Sequence, residues 1–196
     1  AFLAAMQLVP AAGDLLSFLA AWELMAVAST VLVLAEHASR AEVRRAGLWY
    51  AGMTHLSFVL ILLGLALLAA HQGGTSWAEL ATADPDSATA AAAYLLLVVG
   101  FATKAGLVPF HVWLPRAHPA APSHVSAAMS SAMVTMGVYG LLLVVVRLLP
   151  GGPTWFGVVL VALGAVSAVY GILQASAASD LKVLLGYSTT ENTGLM

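Results

Sequence analysis

Residues 98–115 read VVGFATKAGLVPFHVWLP, which places a lysine inside a strongly apolar stretch. The apolar segment Ala88–Pro115 is longer than the roughly 20 residues that one straight membrane span needs. Pro109 has no amide hydrogen to bond back to Ala105, and its ring crowds that carbonyl. The sequence therefore predicts a discontinuous helix that breaks between Lys104 and Pro109.

The composition of the whole chain is that of an integral membrane protein. Of its 196 residues, 61% are hydrophobic and 8% are charged, whereas soluble domains are about 25% charged. The mean hydropathy of +0.95 is also too high for a soluble protein of this size, whose surface would be exposed to water. There is no cysteine to ligate an iron–sulfur centre, so we predict no cofactor. The net charge of −2 gives no reason to expect a nucleic-acid partner.

Other apolar runs of span length lie on both sides of residues 98–115, and Asp14 is placed to cap the first of them. The predicted spans are Leu15–Ala35, Ala46–Ala70, Ser123–Leu149, Trp155–Ala178 and a sixth that opens at Leu181, capped by Ser179 or Asp180. The predicted fold is an all-α integral membrane helical bundle with one discontinuous transmembrane helix. The pattern is still helical and apolar at Met196, so we interpret residues 1–196 as part of a longer polytopic domain, with about six spans and truncated at both ends.

The basic residues between the spans predict an orientation. If successive connections alternate between the two sides of the membrane, one side carries far more of these residues than the other, where Arg147 stands alone. The larger group is Arg40, Arg44, Arg45, Arg116 and Lys182. The positive-inside rule places this group in the cytoplasm.

Two charged residues lie near the middle of predicted spans, namely Glu23 and Lys104. Each costs about 2.5–3.5 kcal/mol to insert, so such residues face the bundle interior and usually pair. A structural ion pair that only fixes helix packing is one interpretation. A proton relay is the other, because a desolvated lysine can release its proton near neutral pH and a nearby carboxylate restores it.

Two histidines and a second acid are further candidates for such a relay. Histidine titrates near physiological pH, so His55 and His111 could pass protons, although a lone histidine on an apolar helix is equally consistent with packing. His111 follows the predicted helix break, where free carbonyls attract water, and is favoured over His55. Glu191, nine residues after Lys182, is another candidate intramembrane charge. The histidines have no paired carboxylates, so we predict no metal site.

A long motif gives the chain a family resemblance. Residues 103–129, TKAGLVPFHVWLPRAHPAAPSHVSAAM, resemble the antiporter-like membrane subunits of proton-pumping NADH:quinone oxidoreductase (complex I). Relatives of those subunits occur in group-four nickel–iron hydrogenases, such as hydrogenase-4 component B, and in multisubunit Na⁺/H⁺ antiporters. The amino-acid sequence of the motif is most similar to that of the hydrogenase branch. WELM at 22–25 and SDLKVLLGYSTTENTGLM at 179–196 resemble two further blocks of the same domain, in the same order.

The resemblance implies a larger bundle of two inverted repeats, each with a broken helix. It assigns to Glu23 and Lys104 the roles of the paired acid and lysine whose separation drives proton transfer. It matches Lys182 to a lysine that precedes the next helix of the relay. It implies no catalytic residue in the chain itself.

One position departs from the family pattern. Many relatives have a lysine within a sequence like VKMGVYG, whereas this chain reads VTMGVYG with Thr135 in that place. Either water connects Ser130, Thr135 and Tyr139, or the pathway is weakened here.

Three functions are compatible with these residues. The leading hypothesis is proton translocation by a subunit of a redox-driven complex, of the NADH:quinone oxidoreductase or membrane hydrogenase type, in a bacterial or archaeal cell (inner) membrane. Its partners would be other membrane subunits, a peripheral redox arm that holds every redox centre, the lipid bilayer and protons. The alternatives are a subunit of a multisubunit Na⁺/H⁺ antiporter without redox coupling and a structural membrane-arm subunit with a degenerate pathway.

Overall fold

The computed structural model describes residues 1–36, 38, 40–82 and 85–196, with Gln72 described by its backbone alone. Within these residues the secondary structure is helical, apart from one isolated bridge between Asp14 and Ser76. The α-helices are α1 Phe2–Ala11, α2 Leu15–Val33, α3 Ala41–Gln72, α4 Trp77–Leu80, α5 Ser87–Ala105, α6 Leu114–Ala120, α7 Ser123–Ala128, α8 Val134–Leu142, α9 Thr154–Ala177 and α10 Leu181–Leu195. A 3₁₀ helix, Phe110–Trp113, precedes α6, and π-helical segments cover Met129–Met133 and Leu143–Leu148.

Five segments of the described chain are long and apolar enough to cross a membrane. They are Leu15–Val33, Ala41–His71, Ser87–Ala120, Ser123–Leu148 and Thr154–Ala177. These match the first five predicted spans and confirm the all-α membrane bundle. The sixth predicted span, which opens at Leu181, corresponds to α10. Helix α1 was not predicted.

The caps that the sequence predicted at two helix starts are present. The Asp14 carboxylate accepts a hydrogen bond from the Ser17 amide at the start of α2. Asp180, rather than Ser179, caps α10 by accepting from the amides of Lys182 and Val183. Each carboxylate satisfies amides that lack a partner within the first turn.

The discontinuous helix is confirmed, but its break begins earlier than Pro109 requires. Helix α5 ends at Ala105, and Gly106 adopts a left-handed conformation with φ 73° that residues with a Cβ rarely take. The Leu107 amide donates to the Ala102 carbonyl, and the Gly106 amide to that of Thr103. This pair of bonds is the Schellman arrangement, so Gly106 terminates the helix.

Close helix contacts fix the register of α5 against its two neighbours. A Cβ on Gly100 would stand 3.0 Å from the Ser57 carbonyl of α3, and a Cβ on Gly137 of α8 would stand 2.5 Å from the Ala105 amide nitrogen. The Ser57 hydroxyl donates to the Gly100 carbonyl at 2.7 Å. Since small residues let helix backbones approach closely, these contacts hold the last turn of α5 between α3 and α8.

Candidate functional site

Lys104 lies in the last turn of α5, directly before the break, and is 1% exposed. Its Nζ donates to Thr54 Oγ1 on α3 at 3.0 Å. Thr54 is one turn along α3 from Ser57, and Lys104 is one turn along α5 from Gly100, so the close contact between these two helices sets this hydrogen bond. Nζ also lies 5.8 Å from the centre of the Tyr50 ring, within the range of a cation–π interaction.

Glu23 forms its ion pair with His55. Glu23 Oε1 on α2 lies 3.0 Å from His55 Nε2 on α3, and His55 Nδ1 lies 2.8 Å from the Ala51 carbonyl. Both ring nitrogens thus face oxygen atoms. A carbonyl only accepts, so Nδ1 is the donor in the contact with Ala51, and Nε2 faces the carboxylate. The contact therefore joins Glu23 on α2 to a second ionisable side chain on α3.

Glu23 and Lys104 form no direct ion pair among the described residues, and their predicted partnership in a relay stays a prediction. Within the described residues, no carboxylate lies within ion-pair distance of Lys104. Thr54 and His55 are consecutive residues of α3, and each contacts one of the two charged residues. The physical reason is helix rotation, because α3 lies beside both α2 and α5 and presents a hydrogen-bonding group to each. Glu23 Oε2 is buried without a hydrogen-bond partner in the described chain.

A second polar cluster, which was not predicted, lies next to Lys104. Tyr50 is 1% exposed, and its hydroxyl lies 2.6 Å from Ser29 Oγ on α2 and 3.2 Å from the sulfur of Met133. Met133 ends the first π-helical segment, a distortion that is frequent at functional sites. The spacing of Tyr50 and Thr54, one turn apart on an apolar helix, was the signal that could have revealed this cluster.

His111 lies in the 3₁₀ helix after the break and belongs to a different group of side chains. Its ring contacts those of Tyr170 on α9 and Tyr187 on α10, with centroids 4.9 and 6.4 Å away. Its Nδ1 is buried and has no hydrogen-bond partner among the described residues. The structure thus brings His55, which the sequence favoured less, into contact with Glu23.

The remaining candidates are distributed around the bundle. Lys182 Nζ donates to the Ala121 carbonyl at 2.9 Å, at the end of α6. Ser130 Oγ lies 2.7 Å from Thr189 Oγ1 on α10. Thr135 donates within its own helix to the Ala132 carbonyl at 2.7 Å. Tyr139 and Glu191 are half-buried.

Comparison with known proteins identifies similar chains. The family described as "NADH:quinone oxidoreductase/Mrp antiporter, TM" matches residues 12–196. An uncharacterized protein of Mycobacterium tuberculosis is 59% identical over 196 residues, which are 100% of this chain and 30% of the relative. Hydrogenase-4 component B of Escherichia coli is 40% identical over 197 residues, covering 100% of this chain and 29% of its own.

A solved structure, that of the Mrp complex from Dietzia sp. DQ12-45-1b, contains a similar chain. Its TM-score is 0.88 at 25% identity, over 98% of this chain and 36% of the matched chain. The chain therefore spans about 30% of the length of the curated relatives and about a third of this structural neighbour.

Proposed function

The chain belongs to the NADH:quinone oxidoreductase/Mrp antiporter transmembrane family, and from that premise we propose that it translocates protons as part of a redox-driven membrane complex. The observation that carries this proposal is Lys104, a lysine 1% exposed that ends one half of a broken membrane helix. A buried intramembrane lysine is costly and marks ion pathways in membrane proteins. The 40% identity to hydrogenase-4 component B and the 32% identity to an NADH-quinone oxidoreductase subunit N favour a complex of the hydrogenase or quinone-reducing type.

The described side chains support a two-part relay. In this proposal, the Glu23–His55 pair shares one exchangeable proton, and Thr54, the residue before His55 on α3, accepts a hydrogen bond from Lys104. When the proton moves onto Glu23, the carboxylate loses the negative charge that can stabilise the ammonium form of Lys104. The position of the proton in the Glu23–His55 pair thereby controls proton release from Lys104.

Beyond Lys104, helix α8 offers no lysine, histidine or carboxylate between Val134 and Leu142. The hydroxyls of Thr135 and Tyr139 are the polar side-chain groups on this helix, and they can orient water. We propose that water completes the path there, with Ser130, Lys182, His111 and Glu191 as further relay candidates. The proposed location is the bacterial or archaeal cell (inner) membrane, and the proposed partners are other membrane subunits and a peripheral redox arm.

The test uses the full-length subunit in its intact complex, reconstituted in vesicles that report proton uptake with a pH-sensitive dye. Lys104→Ala should abolish the flux through this subunit. Arg147→Ala, at an exposed position, is the matched control and should leave flux unchanged. Undiminished flux in Lys104→Ala would leave only the structural role for this side chain.

A second function, cation/proton antiport without redox coupling, is favoured by the backbone likeness to the Mrp complex. In that case, the purified complex should contain no redox subunits, and sodium should drive proton movement in the same vesicles. Proton uptake that requires an electron donor and ignores sodium would exclude this candidate.

A further inference from the structure

The protein surface at the start of α3 contains a basic cavity that the proposed relay does not use. The cavity has a volume of about 730 Å³, and three arginines border it, Arg44 and Arg45 from α3 and Arg116 from α6. All three arginines are exposed. The indole of Trp49 forms part of the same wall.

The charge of this cavity is unbalanced. The side chains of Arg44 and Arg45 form no hydrogen bond or ion pair with any described residue, and Arg116 donates to the Val112 carbonyl at 2.9 Å. Glu42 also borders the cavity, but its carboxylate lies 3.8 Å from Arg40. Three guanidinium groups with one acid that already has a basic neighbour favour the binding of an anion, and the guanidinium fork suits phosphate oxygens.

An apolar groove continues from this cavity toward the middle of the membrane. It has a volume of about 360 Å³ and is lined by Leu48, Trp49, Gly52, Met53 and Leu56, the first two of which also border the basic cavity. These residues follow one face of α3. From Arg45 to Leu56, the helix rises about 16 Å, which is roughly half of a 30 Å hydrocarbon core.

Gly52 keeps this groove open. A Cβ at Gly52 would meet no atom within 4 Å, so the space above it is free among the described residues. Leu48, Trp49 and Leu56 are 67%, 47% and 47% exposed on either side of it. The groove thus has the shape of a shallow channel with an apolar floor.

We propose that this surface binds one anionic phospholipid, with the phosphate between the arginines and an acyl chain along the groove. The charge suits the head group, and the length of the groove suits the tail in a single membrane leaflet. Trp49 lies between the two regions, at the level where tryptophans concentrate in membrane proteins. The Arg116 guanidinium, 5.0 Å from the centre of the Trp49 ring, holds the indole at this boundary. A free phosphate would use the arginines alone and leave the groove empty.

The occupant can be identified by a photo-cross-linking amino acid, p-benzoylphenylalanine, placed at Leu56 in the full-length subunit within its complex. The complex is reconstituted in phosphatidylcholine vesicles with increasing fractions of phosphatidylglycerol. Cross-linking to phosphatidylglycerol should saturate as its fraction rises. The double variant Arg44→Gln/Arg45→Gln should weaken that binding about 30-fold, since each surface arginine contributes about a fivefold attraction. Arg147→Gln, which removes an exposed arginine elsewhere, should leave the binding unchanged.

The acyl-chain contact needs its own pair of variants. Gly52→Leu fills the groove and should reduce cross-linking to phosphatidylglycerol, whereas Gly157→Leu is the matched control on α9, where a Cβ also meets nothing within 4 Å. Excess inorganic phosphate at constant ionic strength should not compete.

Three results would overturn the proposal. A cross-link from Leu56 to a protein segment would show that the groove is a protein interface. Equal losses in the Arg147→Gln and Arg44→Gln/Arg45→Gln variants would show general surface attraction, and competition by phosphate would show a simple anion site.

Discussion

Thr54→Val is the perturbation that tests the relay most directly. Thr54 is 4% exposed and accepts the hydrogen bond from Lys104 Nζ at 3.0 Å. Valine has nearly the same shape as threonine but cannot accept a hydrogen bond. A hydrogen bond from a charged donor contributes about 1.5–3 kcal/mol and a neutral one about 0.5–1.5 kcal/mol. The difference, about 1–1.5 kcal/mol, lowers the ratio of the ammonium form to the neutral amine roughly 5- to 13-fold. If the ammonium form is an obligatory intermediate, proton flux should fall by up to the same factor.

The assay is dye-monitored proton uptake by the intact complex in vesicles, with Thr54→Ser as the control. Serine keeps the hydroxyl that accepts from Lys104 Nζ and loses only a methyl group. Thr54→Val should lower flux while Thr54→Ser preserves it. Equal flux in both variants, or equal losses, would refute the reasoning, because the Thr54–Lys104 bond would then matter only for packing.

Three other outcomes are expected. Thr135→Lys introduces a second titratable group on α8, so flux should rise or stay level if water reaches this position; misfolding of the subunit, read from its yield in the membrane, would instead indicate apolar packing around Thr135. Gly137→Ala places a Cβ 2.5 Å from the Ala105 amide nitrogen and should destabilise the subunit by about 1–3 kcal/mol in thermal unfolding, whereas Gly157→Ala, whose Cβ meets open space, should not. The Asp86 carboxylate accepts hydrogen bonds from the Thr89 hydroxyl and from backbone amides of α5, which hold its pKa below the ordinary value of 3.8. As pH falls, this carboxylate takes up a proton at a higher pH in the unfolded chain than in the folded chain. Its stabilising effect is therefore present at neutral pH and is lost as the pH falls below 3.8. An equal decrease in melting temperature at neutral and at acidic pH in Asp86→Asn would contradict this expectation.

The helix break shows how far local sequence reasoning reaches. The length of the apolar run and the missing amide of Pro109 predicted a break between Lys104 and Pro109, and the helix does end at Ala105. The residue that ends it is Gly106, whose left-handed conformation is compatible with the sequence but not required by it. Helix α1 and the π-helical segments were missed, since a short apolar stretch and a one-residue widening of a helix leave no periodic signal.

The sequence alone determined that this chain crosses a membrane, where its spans lie, and that Glu23 and Lys104 need polar surroundings, because the cost of a charge in hydrocarbon depends only on depth and residue type. Only the tertiary structure decided which groups supply those surroundings. The rotation of α3, held by the close contact of Ser57 with Gly100, turns His55 toward Glu23 and Thr54 toward Lys104. Helix rotation depends on contacts between segments far apart in sequence, so the composition and spacing of a single helix cannot predict it.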